Sequence, residues 1–472
     1  MNMAIGVTGG RVRGHRVGAG LLAWRGIPYA APPVGALRLR APEPVRPWSG
    51  VREAIAFGNP APQRKRRDTS EDCLTLNVLT PSGPTRKPRP VVVFFHGGAY
   101  LTGTSAGPLY RGEQLVGRGD VVYVSVNYRL GALGYLDFRE QGFDANLGLR
   151  DQIAALEWVR DNISAFGGDP DNVTIMGQSA GGNAVTTLLC VPAARGLFAR
   201  GIAESPPVAS ANDSGTAQAW ARRFVTELGT DLGSAPAESL VQTAHTMAMR
   251  AADEFPGSRP FAPVVDGELL PETPLDAFAN GTANPVPLLL GTNAQEGRLF
   301  PLVLDIAPSN PARIRKLLAG TDPEVSARIR AAYRSRGSVA FGGDVLFLDP
   351  ALRCAEGHSV TAPTYFYRYD FAPRLLELAR IGATHGTELL AVFGIGDTAL
   401  GRATTALGGR RALRAVTETV QRHWFSFARG GAPEADWPRY TPTERSTYVI
   451  DERSRVVADP DAAQREAFVG YR

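Results

Sequence analysis

Residues 173–184 read VTIMGQSAGGNA. Val173, Thr174, Ile175 and Met176 make a short run of buried-strand type, and Gly177-Gln178-Ser179-Ala180-Gly181 turns out of it into a helical stretch that continues to Leu189. This is the G-x-S-x-G spacing of a nucleophile elbow. A serine at the tip of a tight strand-to-helix turn thrusts its Oγ away from the backbone, and its neighbours must be small. Gly177 and Gly181 supply that smallness. The helix that follows offers free N–H groups and the positive end of its dipole to a developing oxyanion. With 52 glycines in the chain the spacing alone arises by chance. The strand before it and the helix after it are the context that gives it meaning.

Working outward, residues 91–95 (VVVFF) are a continuous apolar run, the signature of a strand buried on both faces, and His96, Gly97 and Gly98 follow its end. Residues 121–127 (VVYVSVN) make the next strand. Leu149, Ile153, Leu156, Val159 and Ile163 recur at helical spacing in 146–166. Strand, helix, strand, elbow, helix is an α/β plan with a central, mostly parallel sheet flanked by helices. Further strands are expected at 198–207, 286–291 and 364–371. A long helix closes at Gly430–Gly431, and TYVID with SRVV reads as a terminal hairpin. Residues 6–14 form an opening hairpin, and the prolines at 32–33 and 42–44 break the chain after it. Roughly 211–280 reads as a helical, irregular insertion over the active site. Roughly 305–355 reads as a loop-helix region. The whole of 1–472 is taken as one catalytic domain.

Bulk properties exclude several classes. A chain of 472 residues with 44% hydrophobic and 21% charged residues is globular. Its net charge of +5 is small for this length. The run Arg64-Lys65-Arg66-Arg67 reads as a solvated loop, since no finger spacing or aromatic-basic stripe accompanies it. Neither nucleic acid nor membrane is expected as a partner. Cys73, Cys190 and Cys354 are too widely spaced for a disulfide framework. No apolar run spans a bilayer, and the N-terminal residues lack the apolar core of a signal peptide. The expectation is a cytoplasmic protein, monomeric or a small homo-oligomer.

A serine hydroxyl needs a base, and the base needs an orienting carboxylate. Six histidines are available. His385 lies in a glycine-bounded loop after the 364–371 strand, where a base loop belongs, and His358 is the alternative. His15 precedes the sheet, and His245 and His423 fall within helical runs that favour packed or surface roles. For the acid, Glu296 follows the buried strand VPLLLG, with Asp266 in a D-G turn as its rival. Gly97 and Gly98, lacking Cβ atoms, present two N–H donors to one point, and Ala180 N–H completes an oxyanion hole. His96 reads as packing that shapes this loop.

The chain resembles the type-B carboxylesterase family, the group that includes cholinesterases and bacterial p-nitrobenzyl esterases. The resemblance runs through 24–44, EDCLTLNV (71–78), HGGAY (96–100), NYRLGALGYL (127–136), 146–170, GQSAGG (177–182), NAQEG (293–297) and HGTEL (385–389). It implies an α/β-hydrolase fold, a triad of Ser179, Glu296 and His385, and the same oxyanion donors. It further implies ion pairs Arg40–Glu71 and Arg129–Asp169 as structural clamps, and Ser205 as a support for the acid. Gln178 stands where glutamate is common, Gln295 where aspartate is usual, and Glu204 where glutamine is frequent. Gln178 and Gln295 are expected to sit just behind the reacting groups. Cys73 lacks the upstream partner found in many relatives.

The reaction this implies is hydrolysis of an uncharged carboxylic ester, aryl or short-to-medium alkyl, through an acyl-enzyme. The partner is a small-molecule ester, with no metal and no cofactor. Tyr100, Leu101 and Thr102 are expected on one wall of the pocket, Phe341, Leu346 and Phe347 on another, and Phe300, rather than Leu299, near its base. The alternatives are amide or carbamate hydrolysis on the same triad, or a non-catalytic binding module. The intact serine, acid and histidine positions weigh against the latter.

Overall fold

The computed structural model describes residues 3–18, 20–83 and 85–471. Its centre is an eleven-stranded sheet. In chain order the strands are β1 (His15–Val17), β2 (Leu21–Pro28), β3 (Thr75–Pro81), β4 (Arg89–Phe95), β5 (Val122–Val126), β6 (Gly168–Gln178), β7 (Arg200–Glu204), β8 (Leu288–Asn293), β9 (Thr364–Tyr369), β10 (Ser446–Ile450) and β11 (Arg455–Ala458). In space they run β11-β10-β9-β8-β7-β6-β4-β5-β3-β2-β1. From β10 to β5 every neighbouring pair is parallel, and the two margins are antiparallel. This is the α/β-hydrolase architecture. A separate three-stranded sheet joins Ala4–Val7, Gly10–Arg13 and Val51–Glu53.

The burial of β4 follows from its sequence. Val91, Val93 and Phe95 point into one core, and Val92 and Phe94 into the other. The first core is filled by α1 (Leu147–Asn162) and α2 (Ala180–Leu189), through Leu149, Ile153, Leu156, Val159, Val185 and Leu188. The other side is covered by a long helix, Arg410–Gly430, through Leu413, Val416, Val420, Trp424 and Phe427. A strand covered on both faces has no polar face to show, hence its unbroken apolar run. Residues 214–254 supply α3 (Ser214–Leu228) and α4 (Ala237–Glu254). No helix among the described residues is long and apolar enough to cross a membrane.

Strand order places the functional end. The chain passes from β4 to β5 on one side, then returns through α1 to β6 on the other side of β4. The order reverses there, and a crevice opens beyond the carboxyl ends of β4 and β6. Phe95 pairs with Gly177 across those ends, so the segments starting at His96 and Gln178 emerge side by side.

Both expected ion pairs are replaced by others. Glu71 is held by Arg38, whose fork also donates to the carbonyls of Gly233 and Ala235. Leu39, buried at φ 58°, reverses the chain between the two arginines, and Arg40 reaches Gly142 O at 2.6 Å and lies 4.0 Å from Asp144. Arg129 pairs with Asp151 of α1, through Nη2–Oδ1 at 2.6 Å and Nε–Oδ2 at 2.8 Å. Asp169 cannot meet it, because Arg129 follows the carboxyl end of β5 while Asp169 opens β6 at the opposite end of these parallel strands. Arg129 and Asp151 are 3% and 0% exposed. Removing one charge strands the other in the interior. Arg129→Ala is therefore expected to cost about 3–5 kcal/mol in equilibrium urea unfolding. Arg66→Ala, which breaks an exposed pair with Asp68, is expected to cost under about 1 kcal/mol.

Candidate active site

Strand β6 ends at Gln178 and α2 begins at Ala180, which leaves Ser179 between them at φ 59°, ψ −122°. A non-glycine residue sits there only when its surroundings hold it. The hold is backbone: Ser179 N–H donates to Glu204 O at 2.9 Å, and Asn183 N–H donates to Ser179 O at 2.8 Å. The glycines are required by contact. A Cβ on Gly177 would lie 2.3 Å from Gly181 O, and one on Gly181 would lie 2.0 Å from Phe95 O.

The loop after β4 lies against this turn. A Cβ on Gly97 would meet Gln178 O at 2.6 Å, and Gly98 stands at φ 124°. Ala99 and Tyr100 also have positive φ, 55° and 57°. The loop is fixed from beneath: Tyr128 Oη donates to His96 O at 2.5 Å, and Gly131 N–H donates to Tyr100 O at 2.6 Å. The His96 ring stacks on Tyr128 at 4.5 Å and contacts Gly97 O through Nδ1 at 3.0 Å. Burial pulls its pKa down to about 4, so it stays neutral and serves as packing. Ala180 is the first residue of α2, where N–H groups have no preceding turn to bond.

Glu296 follows β8 and His385 follows β9, and the two side chains meet: His385 Nδ1 lies 2.6 Å from Glu296 Oε2. Glu296 Oε1 accepts from Ser205 Oγ at 2.6 Å and from Asn293 N–H at 2.7 Å. Gln295 staples the two loops: its N–H donates to Ala383 O and its Oε1 accepts from Ala383 N–H, both at 3.0 Å. Phe347 and Phe300 pack on the imidazole at 4.4 and 5.2 Å. With Nδ1–H donated to the carboxylate, Nε2 carries the lone pair, and the Gln178 amide nitrogen lies 3.2 Å from it. The alternatives are elsewhere. His358 contacts Val286 O at 2.9 Å, and Asp266 caps its own turn through Glu268, Leu269 and Leu270 N–H.

Two more carboxyls lie behind Glu296. Burial first, then the nearby Glu296 charge, push Glu388 up to about 7. Asn293 Nδ2 donates to it. Burial, then Glu388, push Glu204 well above the usual carboxylate range, and Trp424 Nε1–H donates to it at 2.9 Å. Burial thus disfavours the charge that Glu204 carries and an uncharged glutamine would not.

Ser179, His385, Gln178, Gly97 and Gly98 line one pocket of about 410 Å³. Leu101, Thr102, Leu299, Phe300, Val303 and Leu304 supply apolar or small walls. Four expected wall residues lie outside it. Tyr100 is buried, bonded to Asn183 Oδ1 at 2.6 Å and stacked on Tyr135. Phe341 packs with Tyr333 and Phe468 in a separate cluster. Phe347 is tilted against the imidazole at 4.4 Å, and Leu346 is buried in the cluster that holds Phe341. Sequence reading also missed Tyr110, His245 and the basic residues Arg64 and Lys65 in the lining. No local pattern marks them, because they reach the pocket from a loop and from α4, far apart in sequence.

Fold and geometry define an α/β-hydrolase with a serine elbow, a glutamate-bound imidazole and two adjacent glycines lining one pocket. The chain belongs to the carboxylesterase family, whose model matches residues 2–469. It is 36% identical over 484 residues to the para-nitrobenzyl esterase of Bacillus subtilis (strain 168), covering 97% of this chain and 96% of that one. It is 32% identical over 470 residues to the phenmedipham hydrolase of Pseudarthrobacter oxydans, covering 93% and 94%. A solved PNB esterase structure superposes with a TM-score of 0.89 at 35% identity, covering 99% of this chain and all of that one. The protein is a carboxylic ester hydrolase.

Glu388 makes stability depend on pH. A carboxyl raised from 4.5 to about 7 by folding stabilises the folded chain fully below its unfolded pKa, and this is lost as pH rises through about 7. Glu388→Gln removes that loss while keeping an acceptor for Asn293. The variant's Tm relative to wild type is expected to rise between about pH 5 and about pH 8 in calorimetry; an offset that stays flat would contradict the assignment.

Proposed function

We propose that Ser179, His385 and Glu296 transfer an acyl group from an ester to water in two steps. His385 Nε2 takes the proton of Ser179 Oγ as that oxygen attacks the carbonyl. The N–H groups of Gly97, Gly98 and Ala180 receive the oxyanion. The imidazolium then protonates the leaving alkoxide as its bond to the acyl carbon breaks. Water, deprotonated by the same nitrogen, attacks the acyl carbon, and the bond to Ser179 Oγ breaks as the imidazolium returns the proton to that oxygen, which frees the acid. Glu296 fixes the tautomer and balances the positive imidazolium. The observation that carries this reading is the 2.6 Å contact between His385 Nδ1 and a Glu296 carboxylate that has two further donors, at a pocket that Ser179 also lines.

Leu101, Leu299, Phe300, Val303 and Leu304 make the walls beside the carbonyl apolar, which supports aryl or short-to-medium alkyl groups there. The chain works as one catalytic unit, with 211–280 and 305–355 as its insertions. Free, buried Cys73, Cys190 and Cys354 fit a reducing, cytoplasmic setting for a monomer or small homo-oligomer. A second reading, amide or carbamate hydrolysis on the same residues, draws on the relative named phenmedipham hydrolase. Matched p-nitrophenyl ester and p-nitroanilide substrates separate the two.

Ser179→Ala is expected to lower turnover of p-nitrophenyl butyrate by about a thousandfold or more, and to abolish covalent labelling by an organophosphonate. Retained turnover or labelling would end the assignment. Gln178→Glu sets a carboxylate beside Nε2 and stabilises the imidazolium. The base must be neutral to act, so the acid limb of kcat/KM is expected to move to higher pH.

A further inference from the structure

The pocket has a charged lip that the hydrolytic chemistry does not use. Arg64, Lys65 and His245 line the same opening as Ser179 and His385. Of the basic run 64–67, Arg66 is neutralised by Asp68 through a forked contact. Arg64 and Lys65 have no carboxylate partner among the described residues, and no aspartate or glutamate lines the pocket. Burial, then Arg64 and Lys65, lower the His245 pKa, which places the imidazole within the field of both cations.

This lip is anchored. Pro62 and Gln63 are buried behind it. Gln63 Nε2 donates to Gly103 O at 2.8 Å, and Gly103 N–H donates back to Gln63 Oε1 at 2.9 Å. Gly103 ends the segment 97–103, which carries the glycine donors and itself lines the pocket. The two cations are thereby fastened to the loop that receives the oxyanion. Val303, exposed and apolar, lines the same pocket. The pocket therefore combines apolar walls with unpaired positive charge carried by its more exposed residues, Lys65 exposed and Arg64 half-buried.

We infer that the preferred substrates carry a carboxylate at the end remote from the scissile ester, as in a half-ester of a medium-chain dicarboxylic acid. This rests on the ester-hydrolase reading above and adds a substrate class to it. The ester carbonyl and its neighbours stay uncharged in the apolar stretch. The remote carboxylate meets Arg64 and Lys65, with the guanidinium offering two parallel N–H groups and the ammonium a point charge. An uncharged ester leaves both cations without a partner.

The test compares esters that differ only in the remote group. On the acyl side these are the mono-p-nitrophenyl ester of suberic acid and p-nitrophenyl octanoate, which share an eight-carbon chain. On the alcohol side they are the butyrates of p-hydroxybenzoate and p-hydroxybenzamide. In at least one pair, kcat/KM is expected to favour the carboxylate by about tenfold, chiefly through KM, and the preference should shrink in about 0.5 M salt. The double variant Arg64→Ala, Lys65→Ala should bring the ratio toward one, and Arg64→Lys should retain part of it. Equal kcat/KM within both pairs, or a preference untouched by salt and by the double variant, overturns the inference and leaves the esterase reading standing. Failure of wild-type enzyme to hydrolyse either member of either pair sinks the esterase reading itself.

Discussion

Three backbone segments meet beyond the end of β4 with no room for a side chain between them. Added Cβ atoms on Gly181, Gly177 and Gly97 would lie 2.0, 2.3 and 2.6 Å from backbone oxygens of Phe95, Gly181 and Gln178. Such distances cannot be relieved by a rotamer change, since the clashing atoms belong to the strand, the helix and the turn themselves. The contact forces Ser179 to φ 59° and aligns Gly97 and Gly98 beside it. The serine and the glycine loop inherit their positions from this nesting. The buried sheet is what holds it in place, because β4 and β6 are packed on both faces and cannot spread.

The histidine is positioned by a different principle. His385 lies on a loop, and loops hold a side chain only where bonds hold the loop. Here Gln295 joins the acid and base loops in both directions, Leu299 N–H donates to Thr384 Oγ1 at 3.0 Å, and two aromatic rings cover the imidazole. The remaining freedom is at Nε2. Gln178 is an amide, so it contacts that nitrogen without adding a charge that would favour the imidazolium. Under the proposed mechanism the serine hydroxyl takes the place of this contact, and an N–H donated to a neutral imidazole is a modest interaction to displace.

What could be read in the sequence was what local geometry imposes. The VVVFF run, the helical spacing of Leu149, Ile153, Leu156 and Val159, and the small residues around Ser179 each reflect a constraint within a dozen residues. The placement of His385 and Glu296 was legible because each follows a recognisable strand, and parallel strands deliver their loops to one edge. Partner choice was not legible. Arg38 and Arg40 sit two apart in the sequence, and only the reversal at Leu39 decides which one meets Glu71. Asp151 and Asp169 are both near Arg129 in sequence, yet strand direction puts them at opposite ends of the sheet. The same blindness applied to Arg64 and Lys65. A basic run in a proline-bounded loop looks like any solvated segment until the fold carries it to a pocket mouth.

The electrostatics of the pocket divide along its depth. Behind the imidazole, burial disfavours the charged forms of Glu204 and Glu388, and Glu296 is the carboxylate in contact with the ring. That charge acts through a low-dielectric interior and is barely screened. At the mouth, Lys65 is exposed and Arg64 half-buried, so both work through solvent within a screening length of about 8 Å. The inner carboxylate therefore meets the imidazole directly, at 2.6 Å. The outer charges govern which molecules collect at the opening, with only a weak pull on the proton transfer within. The two layers are joined mechanically through Gln63 and Gly103, while solvent screens the outer charges, so substitutions at the lip can retune selection and leave the Glu296–His385 contact in place.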